Sequence, residues 1–421
     1  MQLPNKKNTN SSTVGIPMSD VDSNAVPNDA KELVWLCRAG KLYEIEKWIS
    51  NSKSLDISEA TKRGNKRSLL EIAVEVGFHS LVELIAKHES NQLTKDAALG
   101  YAVSSRRRDL IELLLANGAD IKSVPLADVL LTWEPRLIRF FLEQGADPLE
   151  GRPFAHALGA RVRTALRPFV DYKRLHPELD AELQEQLDCA LRHFCGEGDL
   201  KWVSLLMWAG GNPRSRGPCL EKDYTEDPEC YTSGLEEACR SENLDVLKKL
   251  KPDSTRDSLS ELLQCAALWA RKATLEYLLQ IGANPNDKPN GGSSALDTAL
   301  RDLNFARLDV YDSKRLKSKY DVSRPLECVR ELLAHGAIWN PDTYEANSLR
   351  RTLLECEPDV TIELLQIFRK RNACPAEKVH RLLGTPRMKE HLKPKTDALL
   401  RLGINLRPTP NTRYYERRRR F

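Results

Sequence analysis

The stretch Leu114-Leu115-Ala116-Asn117-Gly118-Ala119-Asp120 decides how this chain is read. Extended back to Ile111, it places apolar residues at i, i+3 and i+4 and a glycine at i+7. The same spacing returns at Ile138, Phe141, Leu142 and Gly145, and at Val203, Leu206, Met207 and Gly210. Two further copies follow, Leu275, Leu278, Leu279, Gly282 and Val329, Leu332, Leu333, Gly336. Three apolar residues at that spacing form one stripe on a helix, and a glycine one turn later supplies the left-handed conformation that ends it. A small residue and then Asp or Asn come next, as in Ala119-Asp120, Ala146-Asp147, Gly211-Asn212 and Ala283-Asn284. Pro148, Pro213 and Pro285 continue three of these. Helix, glycine stop and polar turn predict a chain that reverses direction at regular intervals.

Upstream of the stripe lies a second recurring pattern, x-x-Leu-x-x-Ala. It is written at Ser68–Ala73, Ala97–Ala102, Glu185–Ala190, Ser233–Ala238, Glu261–Ala266 and Ser294–Ala299. Ser, Glu or Ala is expected to open a helix here, with a buried Leu and an Ala small enough for close helix contact. The two patterns together predict an antiparallel helix pair, repeated.

These motifs resemble the ankyrin-repeat family, whose first helix carries T-P-L-H-x-A and whose second ends in L-L-x-x-G-A-D. Leu114–Asp120 and Leu278–Asn284 match the second half closely. The first half differs, with Ser, Ala or Glu for Thr, no Pro, and Glu, Asp, Gly or Gln for His. In the family that Thr and His help tie neighbouring turns together, so the resemblance implies a less regular stack here. It covers residues 29 to 406 and implies an all-α solenoid of stacked antiparallel helix pairs.

Against a period of about 33 residues, the glycines at 118 and 145 delimit a shortened repeat. The intervals 145–210 and 210–282 each hold two repeats, and 282–336 holds one with an excess. That excess maps to Arg301–Arg324, and a second, acidic insertion maps to Pro213–Ser233. The remainder accommodates about ten helix pairs, with degenerate copies at Trp35–Ile49, Phe154–Tyr172, Leu349–Phe368 and Thr396–Gly403. Residues 1–28 read as a disordered lead-in and 407–421 as a basic C-terminal tail. One repeat array of this kind explains 421 residues without invoking two or three separate cores.

Composition narrows the function. At 41% hydrophobic and 29% charged, the chain is too apolar to remain unfolded. Its formal charge of +4 hides an asymmetry: Arg369–Phe421 holds 16 basic and 4 acidic residues, leaving 48 basic and 56 acidic residues ahead of it. The ten cysteines are scattered with no C-x-x-C pair, which is neither a secreted disulfide framework nor a zinc ribbon. No run approaches 18 apolar residues, so no membrane span is expected. Neither a G-x-S-x-G elbow, a Walker loop, G-x-G-x-x-G nor H-E-x-x-H is present. The expectation is a non-enzymatic protein-interaction scaffold or adaptor, intracellular and cytoplasmic, with another protein as partner, no cofactor, no metal and no membrane. The alternative is a nucleic-acid-associated protein; an enzyme with a site assembled between repeats ranks third.

Three segments supply the candidate contact residues. Arg413, Tyr414, Tyr415, Arg417, Arg418, Arg419 and Arg420 combine guanidinium groups with aromatic rings, a composition suited to phosphate backbone and base stacking, to an acidic protein groove, or to the chain's own acidic body. Asp223, Tyr224 and Asp227 lie in the acidic insertion, an exposed loop or a contact for a basic partner; it lacks the order of a calcium loop. Lys314, Arg315, Lys317 and Lys319 cluster in the long insertion, either a binding loop or a charged helical extension. The stretch Arg152, Arg161, Arg163, Arg167, Lys173 and Arg174 reads as surface charge. Trp133, Trp208, Trp269 and Trp339 are expected to pack between repeats, and Cys189 to be a small core residue, not a metal ligand alongside His193 and Cys195.

Overall fold

A computed structural model describes residues 28–57, 67–220, 231–301, 303, 323–338 and 358–371. The chain forms two compact units, Met1–Asp147 and Pro148–Phe421. The regular elements of the described residues are α-helices, short 3-10 helices and one pair of two-residue strands, joined by turns.

In the first unit the helices are α1 (Asn28–Arg38), α2 (Leu42–Ser50), α3 (Leu69–Val76), α4 (His79–His88), α5 (Gln92–Ser104), α6 (Arg108–Ala116), α7 (Leu126–Leu130) and α8 (Pro135–Glu143). First helices pack on first helices (α1 on α3, α3 on α5, α5 on α7) and second on second (α2 on α4, α4 on α6). The degenerate copy expected at Trp35–Ile49 is the pair α1–α2.

The second unit contains α9 (Pro153–Gly159), α10 (Leu166–Leu175), α11 (Asp180–Glu197), α12 (Leu200–Trp208), α13 (Gly234–Arg240), α14 (Leu244–Leu250), α15 (Leu259–Leu268) and α16 (Lys272–Gln280). Residues 295–301 form α17, followed by α18 (Ser323–Ala334) and α19 (Pro358–Lys370). The same layering holds: α9, α11, α13 and α15 stack in sequence, and α12, α14, α16 and α18 form the other layer. Each unit is thus a stack of antiparallel helix pairs, an all-α solenoid architecture in which neighbours cover stripes that no single pair buries alone. The copy expected at Phe154–Tyr172 is α9–α10. Helix α19 overlaps the one expected at Leu349–Phe368, while Thr396–Gly403 lies outside the described residues.

Burial follows the sequence periodicity. The motif residues Leu70, Ala73, Leu99, Ala102, Leu187, Ala190, Leu263 and Ala266 are fully enclosed, as are Ile111, Leu114, Ile138, Phe141, Val203, Leu206, Leu275, Leu278, Val329 and Leu332. The i+4 position is less uniform, for Leu115 and Met207 lie half-buried at the rim. Gly118, Gly145, Gly210, Gly282 and Gly336 all adopt positive φ, between 86° and 101°, as the stop signal requires. The expectation for the motif's first residue holds in only half the copies. Ser68, Ser233 and Ser294 open their helices through reciprocal bonds with Glu71, Glu236 and Asp297. Ala97, Glu185 and Glu261 instead sit inside helices that begin earlier, at Gln92, Asp180 and Leu259.

With the family's Thr and His absent, a polar clamp on the backbone ties the turn after four of the second helices, α6, α12, α14 and α18. Gln92 donates to the Gly118 carbonyl (2.9 Å), and Asp96 accepts the Asp120 N–H (2.8 Å). Gln184 and Asp188 repeat this on Gly210 (3.1 Å) and Asn212 (2.7 Å). At Lys251, a non-glycine in the left-handed region (φ 54°), Arg214 reaches the carbonyl and Asp257 accepts from Asp253. Asn286 performs both roles on Gly336 and Ile338 with one amide. In each case the same two backbone groups are satisfied, a carbonyl just past the helix C-terminus and the N–H two residues further into the turn.

The acidic insertion rises from a strand pair, β1 (Arg216–Gly217) with β2 (Thr232–Ser233), antiparallel with Arg216 opposite Ser233. Beneath it lies Arg192, whose side chain is buried, donating to the carbonyls of Ser215 and Pro218 and pairing with Glu185.

Candidate functional site

The expected contact residues Arg413, Tyr414, Tyr415, Arg417, Arg418, Arg419, Arg420, Asp223, Tyr224, Asp227, Lys314, Arg315, Lys317 and Lys319 all lie outside the described residues. The described part of the second unit presents a different surface, at the short turns inside successive helix pairs.

Each of those turns is built by a helix that must stop and restart within a few residues. Between α11 and α12, Gly198 takes φ 74° and Asp199 caps α12 by accepting the Trp202 N–H. Between α13 and α14, Asn243 caps through the Asp245 N–H and donates to the Gly198 carbonyl one turn back (2.9 Å). Between α15 and α16, Ala270 holds φ 50° and Arg271 Nε donates to the Arg240 carbonyl (2.7 Å). In the first unit, Arg107 makes the corresponding bond to the Gly77 carbonyl (3.1 Å). The donors Arg107, Asn243 and Arg271 each stand five residues after a motif Ala, so a sequence signal existed, but it concerns a bond between repeats and has no local periodicity.

Charged side chains extend this ladder. Arg161 pairs with Glu197 (2.8 Å) and Asp199 (3.3 Å). Arg271 (2.7 Å) and Arg324 (3.0 Å) converge on the same oxygen of Glu242. Their hydrogen bonds, that of Arg324 foremost, hold the Glu242 carboxyl below the usual carboxylate range. Among these turns lies an open cleft of about 570 Å³, lined by Gly196, Glu197, Arg240, Glu242, Trp269 and Arg271. The Arg240 guanidinium carbon stands 5.5 Å from the Trp269 ring centroid, within cation–π range. On its other side Arg240 pairs with buried Glu237 (3.0 Å), which also accepts from Thr232.

The tryptophans correct an expectation. Trp269, Trp133 and Trp208 are 46%, 44% and 64% exposed, so they do not fill spaces between repeats; Trp339 lies outside the described residues. The buried tryptophans among the described residues are Trp48 and Trp202, the latter stacked on Phe194 of its own helix pair at 5.0 Å. The basic stretch from Arg152 to Arg174 behaves as surface charge: Arg167 pairs with Asp171 and Lys173 with Asp180, and Arg163 lies in a 3-10 turn ahead of α10.

No group of three His, Cys, Asp or Glu among the described residues is arranged to hold a metal ion. Cys189 and Cys195 are buried, and burial raises both thiols, as a packing role requires. No helix among the described residues is long and apolar enough to cross a membrane. The cleft offers guanidinium donors, exposed carboxylates and one indole face.

No family model matches the chain, and no curated protein matches it. Among solved structures it is similar to the ankyrin repeat domain of Bcl-3, described as a unique member of the IkappaB protein family. Identity there is 16%, covering 63% of this chain and 91% of that one, with a TM-score of 0.28. A likeness at that score adds nothing to what the helix pairs themselves show.

Proposed function

We propose that this chain is a non-enzymatic protein–protein interaction scaffold or adaptor of degenerate ankyrin type, acting in the reducing cytoplasm, and that the Trp269 cleft is one of its contact surfaces. The observation that carries the reading is the half-exposed Trp269 beside Arg240, set among turns immobilised by the Asn243 and Arg271 bonds. Exposed Trp and Arg on a rigid support are the residues that dominate protein interfaces, because little side-chain freedom remains to be lost on binding. A stacked array adds an extended surface better suited to a macromolecule than to enclosing a small substrate.

The test is quantitative capture of partners from a cell extract by the full chain, by Trp269→Ala and by the chain shortened before residue 407. Loss of specific proteins with Trp269→Ala, at unchanged thermal unfolding, is the expected result. A partner set indifferent to Trp269 would remove the cleft from this reading. Recovery of nucleic acid dependent on residues 407–421 would favour the nucleic-acid alternative.

A further inference from the structure

We infer that the edge of the first unit where its helix pairs reverse receives an extended acidic segment of a partner protein, with apolar side chains on Trp133 and Phe78 and a carboxylate on Arg106 between them. The inference rests on the scaffold reading above but uses none of the Trp269 cleft. The turns of this edge form one row. The Phe78 ring, after α3, lies against Gly40, after α1, so closely that a Cβ on the glycine would not fit. Arg107, after α5, donates to the Gly77 carbonyl (3.1 Å). The turn after α7 continues the row, since α7 packs on α5 and the Arg108 guanidinium of α6 stands 5.2 Å from the Phe140 ring of α8.

This row exposes apolar side chains on a fixed support. Phe78 is 57% and Leu131 53% exposed, beside the half-exposed Trp133. Buried Thr132 donates to the Val129 carbonyl (2.7 Å) and accepts the Glu134 N–H (3.3 Å), and Pro135 opens α8, so the indole stands on a rigid turn. Gly40 and Gly77 take the left-handed position of their turns, but Arg106 (φ 56°) and Trp133 (φ 63°) hold it in theirs. Glycine would be the less strained choice at both places. The fold therefore does not account for a projecting guanidinium and indole there, whereas contact with a partner does.

Charge selects the occupant. Arg106, Arg107 and Arg108 stand together against Asp109 and Glu112, which Arg107 and Arg108 already engage, so Arg106 has no carboxylate partner. Beyond Phe78, exposed Arg38 and Lys41 likewise have none and stand near one free carboxylate, Glu44. The other charges of the row offset one another, Arg67 with Glu75 and Arg136 beside Glu134, and Asp128 stands a helical turn back along α7. Helix layers about 8–10 Å apart put Trp133 about 16–20 Å from Phe78, the span of about five or six extended residues. A carboxylate midway along such a segment meets Arg106, and one past its second apolar residue meets Arg38 and Lys41. The aliphatic Leu131 beside Trp133 suits a protein side chain better than a stacked base.

The experiment is fluorescence anisotropy with the full chain and a labelled ten-residue peptide bearing Phe at its first and seventh residues, Glu at its fourth and tenth, and Ser elsewhere. The same peptide with Gln or with Lys replacing both Glu, and a single-stranded oligonucleotide, are the other probes. The Glu peptide is expected to bind about tenfold more tightly than the Lys peptide, with the Gln peptide between them, and Trp133→Ala to weaken it about tenfold. Arg106→Gly supplies the discriminating arm. It should weaken the Glu peptide about three- to tenfold while leaving the melting temperature at or above that of the wild type, the reverse of what a side chain kept for the fold would do. Equal affinity for the three peptides, Glu-peptide binding indifferent to Arg106→Gly, or tighter binding of the oligonucleotide with the same Trp133 dependence would each overturn the inference. If the peptides fail while Trp269→Ala still strips proteins from the extract capture, the scaffold reading stands and this edge is lost from it. If the Glu peptide binds as expected while the capture is indifferent to Trp269, the edge stands and the cleft is lost.

Discussion

Asp188→Ala probes the clamp on which the regularity of the second unit depends. Asp188 lies in α11 with 2% exposure, and its Oδ1 accepts from the Asn212 N–H (2.7 Å) and from Gln184 Nε2 (2.8 Å). Removing the carboxylate leaves the Asn212 N–H beside a void, and a hydrogen bond to a charged group is worth about 1.5–3 kcal/mol. Asp188→Asn keeps an acceptor and should cost less, about 0.5–1.5 kcal/mol. Gln184→Ala should also cost little, since the Gly210 carbonyl is exposed and can turn to water. In a stack of nearest-neighbour units the loss is local, so the sensitive measurement is hydrogen exchange at the Asn212 amide, read beside urea unfolding. A local loss of one or two kcal/mol accelerates exchange about 5- to 30-fold. If the Asn212 amide exchanges at the wild-type rate in Asp188→Ala, and the urea midpoint does not move, the clamp is decorative and the reasoning fails.

Three further outcomes test the fold. Leu278→Ala, at a fully enclosed stripe position, should destabilise the second unit by about 2–5 kcal/mol in denaturant unfolding, the range for buried Leu truncation. The left-handed turns should respond in opposite directions: Gly282→Val (φ 101°) should lower the melting temperature, whereas Lys251→Gly (φ 54°) should raise stability by about 0.5–1 kcal/mol by relieving a strained non-glycine. High pH supplies the last test. Burial raises the Cys37 and Cys265 thiols from 9.0 to about 12, so between those values the native state keeps protons that the unfolded chain releases. Stability should therefore fall as pH rises above about 9. Cys37→Ser and Cys265→Ser together should make that slope shallower in urea titrations from pH 8 to 11, the buried Cys189, Cys195 and Cys239 thiols supplying the remainder.

Much of the architecture was legible because it rests on local repetition. The i, i+3, i+4 stripe and the glycine at i+7 need only the helix period and the rarity of positive φ, and Val203, Leu206 and Gly210 obey both. Lys251 shows the limit. It stands where the pattern would place a glycine at the end of α14, and nothing in its identity announces φ 54°; Arg214 and Asp257 bind the backbone around it from 37 residues before and 6 after. The tryptophans were misread for a related reason. Trp269 caps the end of α15, and only the placement of neighbouring turns leaves it half-exposed over the cleft, while Trp202, inside α12, stacks on Phe194.

The candidate site was less legible still. Sequence patterning drew attention to concentrated charge, in the basic tail and the two insertions, because clusters are visible along a chain. The cleft is assembled from single residues, Glu197, Arg240, Glu242, Trp269 and Arg271, spread over more than 70 positions and unremarkable where each stands. The sequence by itself determined that this protein is built from helix pairs with buried Leu and Ala and glycine-ended second helices, since helical period and backbone sterics act between near neighbours. Only the tertiary structure decided which turns come together, which guanidinium groups share a carboxylate and which indole stays exposed, since those depend on bonds made between repeats.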